Sequence, residues 1–324
     1  MPEPPTLDDC QAAARTLATR IHRTPVFSSR SLSEHIDRPA WLKAELFQRT
    51  GSFKLRGATN RVASMSPEER AAGAVTVSAG NHAQAAALAC AEAGVDVVVF
   101  MPRVASATKV AATRGYGATV DLDSADGREA FARMHAFAAE TGRLVLHPFD
   151  DSRVIAGAST LGLELCEQVP EPGTVLVPTS GGGLLAGVAI AVKALAPACR
   201  VIAVQPAATG TLAASTHGAR AASTIGAPSG TIADALTAPY IGELCLRVAT
   251  ELVDEVVHVS EAEIAAGLRF IYARAKLACE AGAAVGVAAL LAGKVAALGD
   301  GPVVAVVSGG NVTPQAAASI LVSG

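Results

Sequence analysis

Short apolar runs that alternate with alanine-rich segments are the feature that most constrains this chain. The run "VDVVVFMP" (95–102) is rich in β-branched residues, which is typical of a strand buried on both faces. The segment before it, "HAQAAALACAEAG" (82–94), has the length and composition of a helix that ends at Gly94. Further strands, some with the turn that follows them, are predicted at 74–81, 143–148, 174–183, 200–206, 255–260 and 301–311. This alternation indicates a parallel α/β architecture.

Three local patterns add detail to this architecture. A helix is predicted from about residue 184 to 196. Ser260 and Glu263 have the spacing of a capping box, so a helix should begin directly after the strand at 255–260. The stretch 209–231 is polar and irregular, and we expect it to form an extended loop over the sheet.

The composition excludes several classes of function. Apolar residues make up 51% of the 324 residues, which is enough for a large core and argues against disorder. The formal net charge of -3 lacks the basic excess of a nucleic-acid-binding protein. No apolar run is long enough for a membrane span, and the acidic, proline-rich start does not resemble a signal peptide.

The six cysteines are scattered and form no CxxC pair. This pattern is typical of reduced, mostly buried thiols, so we expect a cytoplasmic protein. The chain ends soon after the last predicted strand, so we also expect no C-terminal regulatory domain.

Loops of small residues follow three of the predicted strands, at "SAGNH" (78–82), "TSGGGLLAG" (179–187) and "SGGN" (308–311). Open α/β sheets bind ligands at this end of their strands. In the middle loop, successive glycines before a helix start would let backbone N–H groups surround a phosphate. The loop lacks the Lys-Ser or Lys-Thr of a P-loop. The next strand closes with Gln205 and not with the acidic residue of a dinucleotide site.

A lysine in an apolar setting is the second chemical signal. Lys54 lies between Phe53 and Leu55 in "FQRTGSFKLRGATN" (47–60). An amine shielded from water has a lowered pKa, and a neutral amine can attack an aldehyde. Pyridoxal 5′-phosphate carries both an aldehyde and a phosphate, so this one cofactor would account for the lysine and for the glycine loop.

Several segments, in order, resemble a known family. They are "GSFKLRGA", "SAGNHAQ", "HPFDD" with "VIAGAST", "SGGGLLAG", "TIADAL", "EAGAAVGVAAL" and "SGGN", and they extend from about residue 20 to 315. The series resembles the fold-type II pyridoxal-phosphate enzymes of the tryptophan-synthase-β superfamily, in the serine/threonine dehydratase and serine racemase branch. The resemblance implies two open parallel twisted sheets with flanking helices. A small domain (73–146) would be inserted in a large cofactor-binding domain (1–72 and 147–324), and we expect a homodimer.

The resemblance also assigns roles to individual residues. Lys54 would be the Schiff-base lysine and the base that removes the Cα proton, and Phe53 would pack beside the cofactor ring. Asn81 would donate to the 3′-oxygen and Ser308 would face the pyridine nitrogen, with Glu280 near the cofactor. The phosphate would bind to Ser180, Gly181, Gly182, Gly183 and Leu184, and the substrate carboxylate to the loop formed by Ser78, Ala79, Gly80, Asn81 and His82. Within that loop we interpret His82 as a helix-start and packing residue. Arg56, which follows the lysine in the segment 47–60, is interpreted as a structural or interface charge.

The reaction implied is β-elimination of a β-hydroxy amino acid such as threonine or serine, which yields a 2-oxo acid and ammonia. Four departures from the family pattern are Ser180 in place of a glycine, Ala158-Ser159 in place of Gln-Gly, Ala281 in place of proline, and Gln205 with Thr211 in place of two acidic metal ligands. They put plain threonine in doubt as the substrate and argue against a bound metal. A dehydratase for phenylserine, 3-hydroxyaspartate or a hydroxyectoine-derived amino acid therefore stays open as an alternative.

Three further alternatives remain at this point. The first is an amino-acid racemase, although the serine that racemases of this family carry opposite the lysine is Ala79 here. The second is a cofactor-binding protein without turnover, which intact Lys54, Asn81 and Ser308 argue against. The third is a nicotinamide-dependent dehydrogenase, since such enzymes also have a parallel α/β fold.

Overall fold

The larger of two sheets has six strands in the order β1-β2-β10-β7-β8-β9. The computed structural model describes residues 3–212 and 230–323. Strand β1 pairs antiparallel with β2, and every other neighbouring pair in this sheet is parallel. The strands are β1 Val26–Ser28, β2 Ala40–Ala44, β7 Thr174–Pro178, β8 Arg200–Pro206, β9 Glu255–Val259 and β10 Val303–Val307.

The second sheet has four parallel strands in the order β5-β4-β3-β6. They are β3 Ala74–Val77, β4 Val97–Pro102, β5 Thr119–Ser124 and β6 Leu144–Val145. The two sheets, parallel except for the edge strand β1, confirm the predicted α/β class. Strand β6 is shorter than the predicted strand at 143–148, because Pro148 has no N–H to continue a ladder and the carbonyl of Leu146 accepts from side chains.

Helices flank both sheets and lie in most of the connections between parallel strands. Within the described ranges they are α1 Leu7–Leu17, α2 Arg30–Ile36, α3 Lys54–Ala63, α4 Pro67–Ala72, α5 Asn81–Glu92, α6 Ala107–Gly115, α7 Gly127–Thr141, α8 Ser152–Gln168, α9 Gly183–Leu195, α10 Glu243–Leu252, α11 Glu261–Phe270, α12 Val285–Leu291 and α13 Pro314–Leu321. The capping box of Ser260 and Glu263 at the start of α11 is confirmed. The predicted loop at 209–231 lies mostly outside the described residues.

The inner strands of the larger sheet are buried on both faces, as their sequences predict. In β7, Val175 and Val177 pack in an apolar cluster with side chains of α8 and α9. Leu176, between them, points to the other face and packs with residues of α11 and α12. Burying each such side chain stabilises the fold by about 1.5–3 kcal/mol.

The second sheet is built from one continuous part of the chain. Its four strands lie between residues 74 and 145, inside the predicted insertion at 73–146. Helix α3, which precedes that range, packs Leu55, Ala58 and Val62 into the apolar cluster that contains Ala83 and Ala87 of α5. The boundary at residue 72 therefore stays a prediction, and this packing favours a smaller unit that also includes α3. In the described part of the chain, no helix is both long and apolar enough to cross a membrane.

Candidate active site

Lys54 begins helix α3 and is held in place by the loop that follows β10. The preceding turn depends on Gly51, which has a φ of 74°. A Cβ atom on Gly51 would lie 2.4 Å from Oδ1 of Asn311. The N–H of Phe53 donates to the carbonyl of Ser308 over 3.1 Å. The lysine is therefore attached at the carboxyl end of the larger sheet, where ligands bind in folds of this class.

The amine of Lys54 makes no ion pair with a described carboxylate. Its Nζ donates to the carbonyl of Pro148 over 2.8 Å and lies 5.1 Å from the centre of the Phe53 ring. Burial lowers the pKa of Lys54 to about 8, against opposing effects from Cys245 and the Glu280 carboxylate. A substantial share of the amine is then neutral near pH 8, which suits both nucleophilic attack and proton removal.

Asn81 begins helix α5 and is hydrogen-bonded on both sides. Its Nδ2 donates to Oε1 of Glu280 over 2.7 Å, and its Oδ1 accepts from Nδ2 of Asn311 over 2.8 Å. Glu280 is buried, and this burial raises its pKa to about 7, although the hydrogen bond from Asn81 opposes the rise. The structure thus brings together Asn81 and Glu280, both predicted to be near the cofactor. Asn311 had no role assigned from the sequence, although it closes the quoted loop "SGGN".

The glycine loop lies between β7 and α9, at the start of the helix. Gly182 has a φ of 95°, which a side chain would strain. A Cβ on Gly181 would lie 2.4 Å from the Phe149 ring, so only a residue without a side chain fits where the loop contacts this ring. Ser180 accepts a hydrogen bond at its hydroxyl from the N–H of Ala238 over 2.9 Å. The first N–H groups of α9 have no preceding turn to bond to, which makes this end suitable for an anion.

The loop "SAGNH" turns from β3 into α5. The N–H of Gly80 donates to the Ser78 hydroxyl over 3.2 Å. His82 is buried, and its Nε2 lies 3.1 Å from both the Thr76 hydroxyl and the Leu146 carbonyl. Burial lowers the pKa of His82 to about 3, so its ring is neutral. These contacts are those of a packing residue, and any contact of His82 with a substrate would have to come from its backbone.

A serine hydroxyl near the lysine is buried without a partner. The hydroxyl of Ser52, two residues before Lys54, is fully buried and has no hydrogen-bond partner among the described residues. Ser308, which directly follows β10, is a second buried serine at this end of the sheet. A buried hydroxyl is costly when unpaired, so a bound group that reaches Ser52 would be stabilised.

A buried network of charges lies behind the lysine on helix α3. Arg56 is completely buried and donates to Glu45 over 2.8 Å and to Glu164 over 2.7 Å. Lys43 is also fully buried, and its Nζ donates to Glu164 over 2.6 Å. The network joins β2, α3 and α8, so the structure assigns Arg56 a structural role.

An aromatic group adjoins the lysine and was not predicted from the sequence. His147 accepts at Nδ1 from the N–H of Asp150 over 2.7 Å, so Nε2 carries the proton and lies 3.2 Å from the Tyr240 hydroxyl. Burial lowers the pKa of His147 to about 4, which keeps the ring neutral. Phe149 packs edge-on against both rings. The quoted segment "HPFDD" was the available signal for His147, whereas nothing in the sequence pointed to Tyr240.

The two positions expected to hold a metal in the family are neutral and bonded to each other. Nε2 of Gln205 donates to the Thr211 hydroxyl over 3.2 Å and lies 3.4 Å from the Thr179 carbonyl. Its Oε1 accepts from the N–H of Leu212 over 3.1 Å. Across the described ranges, no group of three or more His, Cys, Asp or Glu side chains is arranged to hold a metal ion.

This combination of a two-sheet fold, a sequestered lysine and a glycine loop defines a class. Residues 17–309 match the family described as pyridoxal-phosphate dependent enzyme, so the chain belongs to that family. The resemblance found in the sequence is confirmed.

Several members of this family are similar to the chain over nearly its whole length. The chain is 42% identical to the L-threonine ammonia-lyase of Thermotoga maritima, over 95% of this chain and 76% of that one. It is 40% identical to the catabolic L-threonine dehydratase TdcB of Escherichia coli K12, over 95% and 94%. Among solved structures, maize serine racemase superposes with a TM-score of 0.91 at 36% identity, over 96% and 95% of the two chains. The threonine deaminase of T.th. gives a TM-score of 0.89 at 38% identity, over 95% and 99%.

The residues present fit pyridoxal phosphate. Lys54 offers an amine with a lowered pKa, and the bare glycine loop offers helix-start N–H groups for a phosphate. Ser52 offers a buried hydroxyl that lacks a partner among the described residues, and Ser308 is a second buried serine at this end of the sheet. The cofactor of the family therefore matches the chemistry of this site.

Proposed function

We propose that the protein catalyses the pyridoxal-phosphate-dependent β-elimination of a β-hydroxy amino acid such as threonine or serine, with release of a 2-oxo acid and ammonia. The observation that carries this proposal is the amine of Lys54, which is sequestered at the end of the parallel sheet with a pKa of about 8. The relatives named as threonine ammonia-lyase and threonine dehydratase support the same reaction.

The roles of the site residues follow from their chemistry. When bound, pyridoxal phosphate supplies the carbonyl that captures the substrate amine and the ring that draws electrons away from Cα. Lys54, once neutral, accepts the proton from Cα, and such general base catalysis typically contributes about 10²–10⁴-fold. The Cβ hydroxyl then leaves as water, and hydrolysis of the released enamine gives the 2-oxo acid and ammonia.

The other site residues would hold the two ligands. The N–H groups of residues 180–184 would bind the phosphate, and the loop at 78–82 would bind the substrate carboxylate at the start of α5. Asn81 would donate to the 3′-oxygen, with Glu280 as its partner. Ser308 would face the pyridine nitrogen with a neutral hydroxyl. What supports these roles is the position of each residue around Lys54.

The proposal is tested by supplying the holoenzyme with L-threonine, L-serine, phenylserine and 3-hydroxyaspartate. We expect at least one of them to yield a 2-oxo acid and ammonia in equal amounts, both measured directly. A preference for phenylserine or 3-hydroxyaspartate would favour the modified-substrate alternative. A holoenzyme that shows the cofactor absorbance but forms no 2-oxo acid from any β-hydroxy amino acid would contradict the proposal.

Metal independence is a further expectation for the holoenzyme. Hard cations prefer several oxygen ligands, including carboxylates, whereas Gln205 and Thr211 offer an amide and a hydroxyl that bond to each other. We expect a chelator to leave the rate of 2-oxo acid formation unchanged, and added magnesium or calcium not to raise it. The double variant Gln205→Glu with Thr211→Asp is the converse control and should become sensitive to these cations. A loss with chelator that metal restores in the unaltered protein would count against this expectation.

Racemisation should be slow, because it requires a proton donor on the face of the substrate opposite Lys54. By resemblance to the racemases, Ala79 occupies the position of that donor, and a methyl group neither accepts nor donates a proton. We expect L-serine to give 2-oxo acid with little D-serine, as measured by chiral chromatography and by deuterium uptake at Cα. Ala79→Ser should gain some racemisation. D-serine that accumulates in the unaltered protein as fast as the 2-oxo acid would defeat this interpretation.

We further infer a cytoplasmic homodimer. The free thiols of all six cysteines support a reducing compartment. The exposed rings of Phe27 and Phe47, whose centres are 5.9 Å apart, support a surface that a second copy covers. Light scattering should give twice the chain mass of 32.6 kDa, and a monomer at working concentration would rule out the dimer.

A further inference from the structure

One side chain joins the lysine loop to the start of α5. Asn311 follows β10, and its Nδ2 donates to the carbonyl of Thr50 over 2.8 Å and to Oδ1 of Asn81 over 2.8 Å. Thr50 belongs to the turn that leads into Lys54. Both hydrogens of the Asn311 carboxamide nitrogen are therefore used, each by a different loop of the site.

The bonds of Asn81 determine which way its own carboxamide faces. The oxygen accepts from Asn311, and one N–H donates to the Glu280 carboxylate over 2.7 Å. If the carboxamide were flipped, its nitrogen would meet the NH₂ group of Asn311 and its oxygen would meet Glu280. Both contacts would then be repulsive when Glu280 is ionised, above its pKa of about 7. The two neighbours therefore fix Asn81 in one orientation, in which its second N–H has no partner among the described residues.

The surroundings of Asn311 show that its side chain is closely enclosed on the lysine side. A Cβ atom placed on Gly51 would lie 2.4 Å from Oδ1 of Asn311. The N–H of Gly310 also donates to the Gly51 carbonyl over 2.9 Å, which holds the two loops in register. Asn311 is thus positioned by the backbone and does not depend on Asn81 for its own orientation.

We propose that Asn311 is a positioning residue that orients the Asn81 carboxamide, so that its remaining N–H is kept available for the 3′-oxygen of the cofactor. This inference rests on the proposed function, because it requires the role given there to Asn81. The buried carboxylate of Glu280 accepts a hydrogen bond from the nitrogen of Asn81, while Asn311 donates one to the oxygen of Asn81. A hydrogen bond to a carboxylate is stronger than one between neutral groups, so the bond from Asn81 to Glu280 persists when the Asn311 donor is lost. The oxygen of Asn81 is then no longer held, and the carboxamide can rotate.

The test uses Asn311→Asp, which keeps the shape of the side chain and removes both donors. The new carboxylate repels the oxygen of Asn81, so the carboxamide is no longer held in the orientation that presents its second N–H to the cofactor. The readout is the absorption spectrum of the bound cofactor as a function of pH, in purified holoenzyme. We expect the titration midpoint to move by about one to two pH units, the scale of a hydrogen bond to a charged oxygen. Asn81→Ala should move it in the same direction and by a similar amount.

A double-mutant cycle separates positioning from a general structural effect. In the Asn81→Ala background, Asn311→Ala, which removes the donors without adding a charge, should cause no further shift of the midpoint, because the group that Asn311 orients is absent. Asn60→Asp is the matched control, since Asn60 is buried on α3 and donates to the Arg153 carbonyl away from the site. Its midpoint should equal that of the unaltered protein. Asn311→Ala is also measured as a single variant, so that the effect of the added charge in Asn311→Asp is separated from the loss of the donors.

The outcomes distinguish this inference from the proposed function. A midpoint for both Asn311 variants equal to that of the unaltered protein, with Asn81→Ala shifted, would overturn the inference alone. Shifts of Asn311→Ala and Asn81→Ala that add in the double variant would also overturn it. An unaltered protein with no visible cofactor band at all would overturn both the proposed function and this inference.

Discussion

Replacing Lys54 with alanine is expected to remove the visible absorbance of the bound cofactor and to lower turnover by roughly 10³-fold or more. The amine of Lys54 is the group placed to bond the cofactor covalently, and the same amine is the proposed base for the Cα proton. Its loss therefore removes two contributions at once. The comparison is made with protein reconstituted under identical conditions, by absorbance and by the rate of 2-oxo acid formation.

The control for this variant is Lys294→Ala. Lys294 is exposed and pairs with Glu263 at the surface over 2.8 Å, an interaction that contributes little to stability. This control should keep the cofactor band and its turnover. If Lys54→Ala kept both as well, the assignment of the cofactor lysine would be wrong.

The second large effect concerns stability. Arg56→Ala is expected to lower the free energy of unfolding by about 3–5 kcal/mol, since removing one member of a buried ion pair leaves the other charges uncompensated. Glu45 is fully buried and loses its partner at 2.8 Å, while Glu164 keeps Lys43. Urea unfolding followed by far-UV circular dichroism measures the change. Arg56→Lys should also lower the free energy of unfolding, but by less than Arg56→Ala. An ammonium keeps the positive charge, although it cannot donate to two carboxylates in the fixed planar geometry of a guanidinium.

The matched control for Arg56 is Arg30→Ala, which breaks an exposed pair with Glu34 on one helix. Its side chains are 91% and 64% exposed, so the change should be below about 0.5 kcal/mol. The pH dependence gives a further check. Burial alone would raise the pKa of Glu45, but the Arg56 guanidinium holds this pKa below its ordinary value. The ionised Glu45 therefore stabilises the fold at pH values above the ordinary pKa of a glutamate. This stabilisation is lost as the pH falls through the folded-state pKa. Equal costs for Arg56→Ala and Arg30→Ala would contradict the account.

The sequence was sufficient for the features that depend on neighbouring residues. The apolar run of β4 and the alanine-rich α5 are local patterns, and both were predicted within a few residues of their observed bounds. The loop at "SGGG" was predicted as a strand-to-helix turn, because glycine content and helix onset are also local. Lys54 was found through a motif and through the cost of shielding its charge.

Contacts between distant segments could not be predicted from the residues alone. Asn81 and Glu280 are 199 residues apart, and Arg56 and Glu164 are 108 apart. Which polar groups meet at such separations depends on the strand order, in which β10 lies between β2 and β7. Tyr240 reaches His147 for the same reason. Asn311 escaped notice because an asparagine in a turn has a common local explanation.

The most direct measurement of the central claim locates the cofactor on the chain. The holoenzyme is reduced with borohydride, digested, and mapped by mass spectrometry. We predict that the reduced pyridoxyl phosphate group is found on the peptide that contains Lys54, and that the visible absorbance disappears with the reduction. A reduced cofactor on another lysine, such as Lys109, or no covalently attached cofactor in an active preparation, would contradict the account.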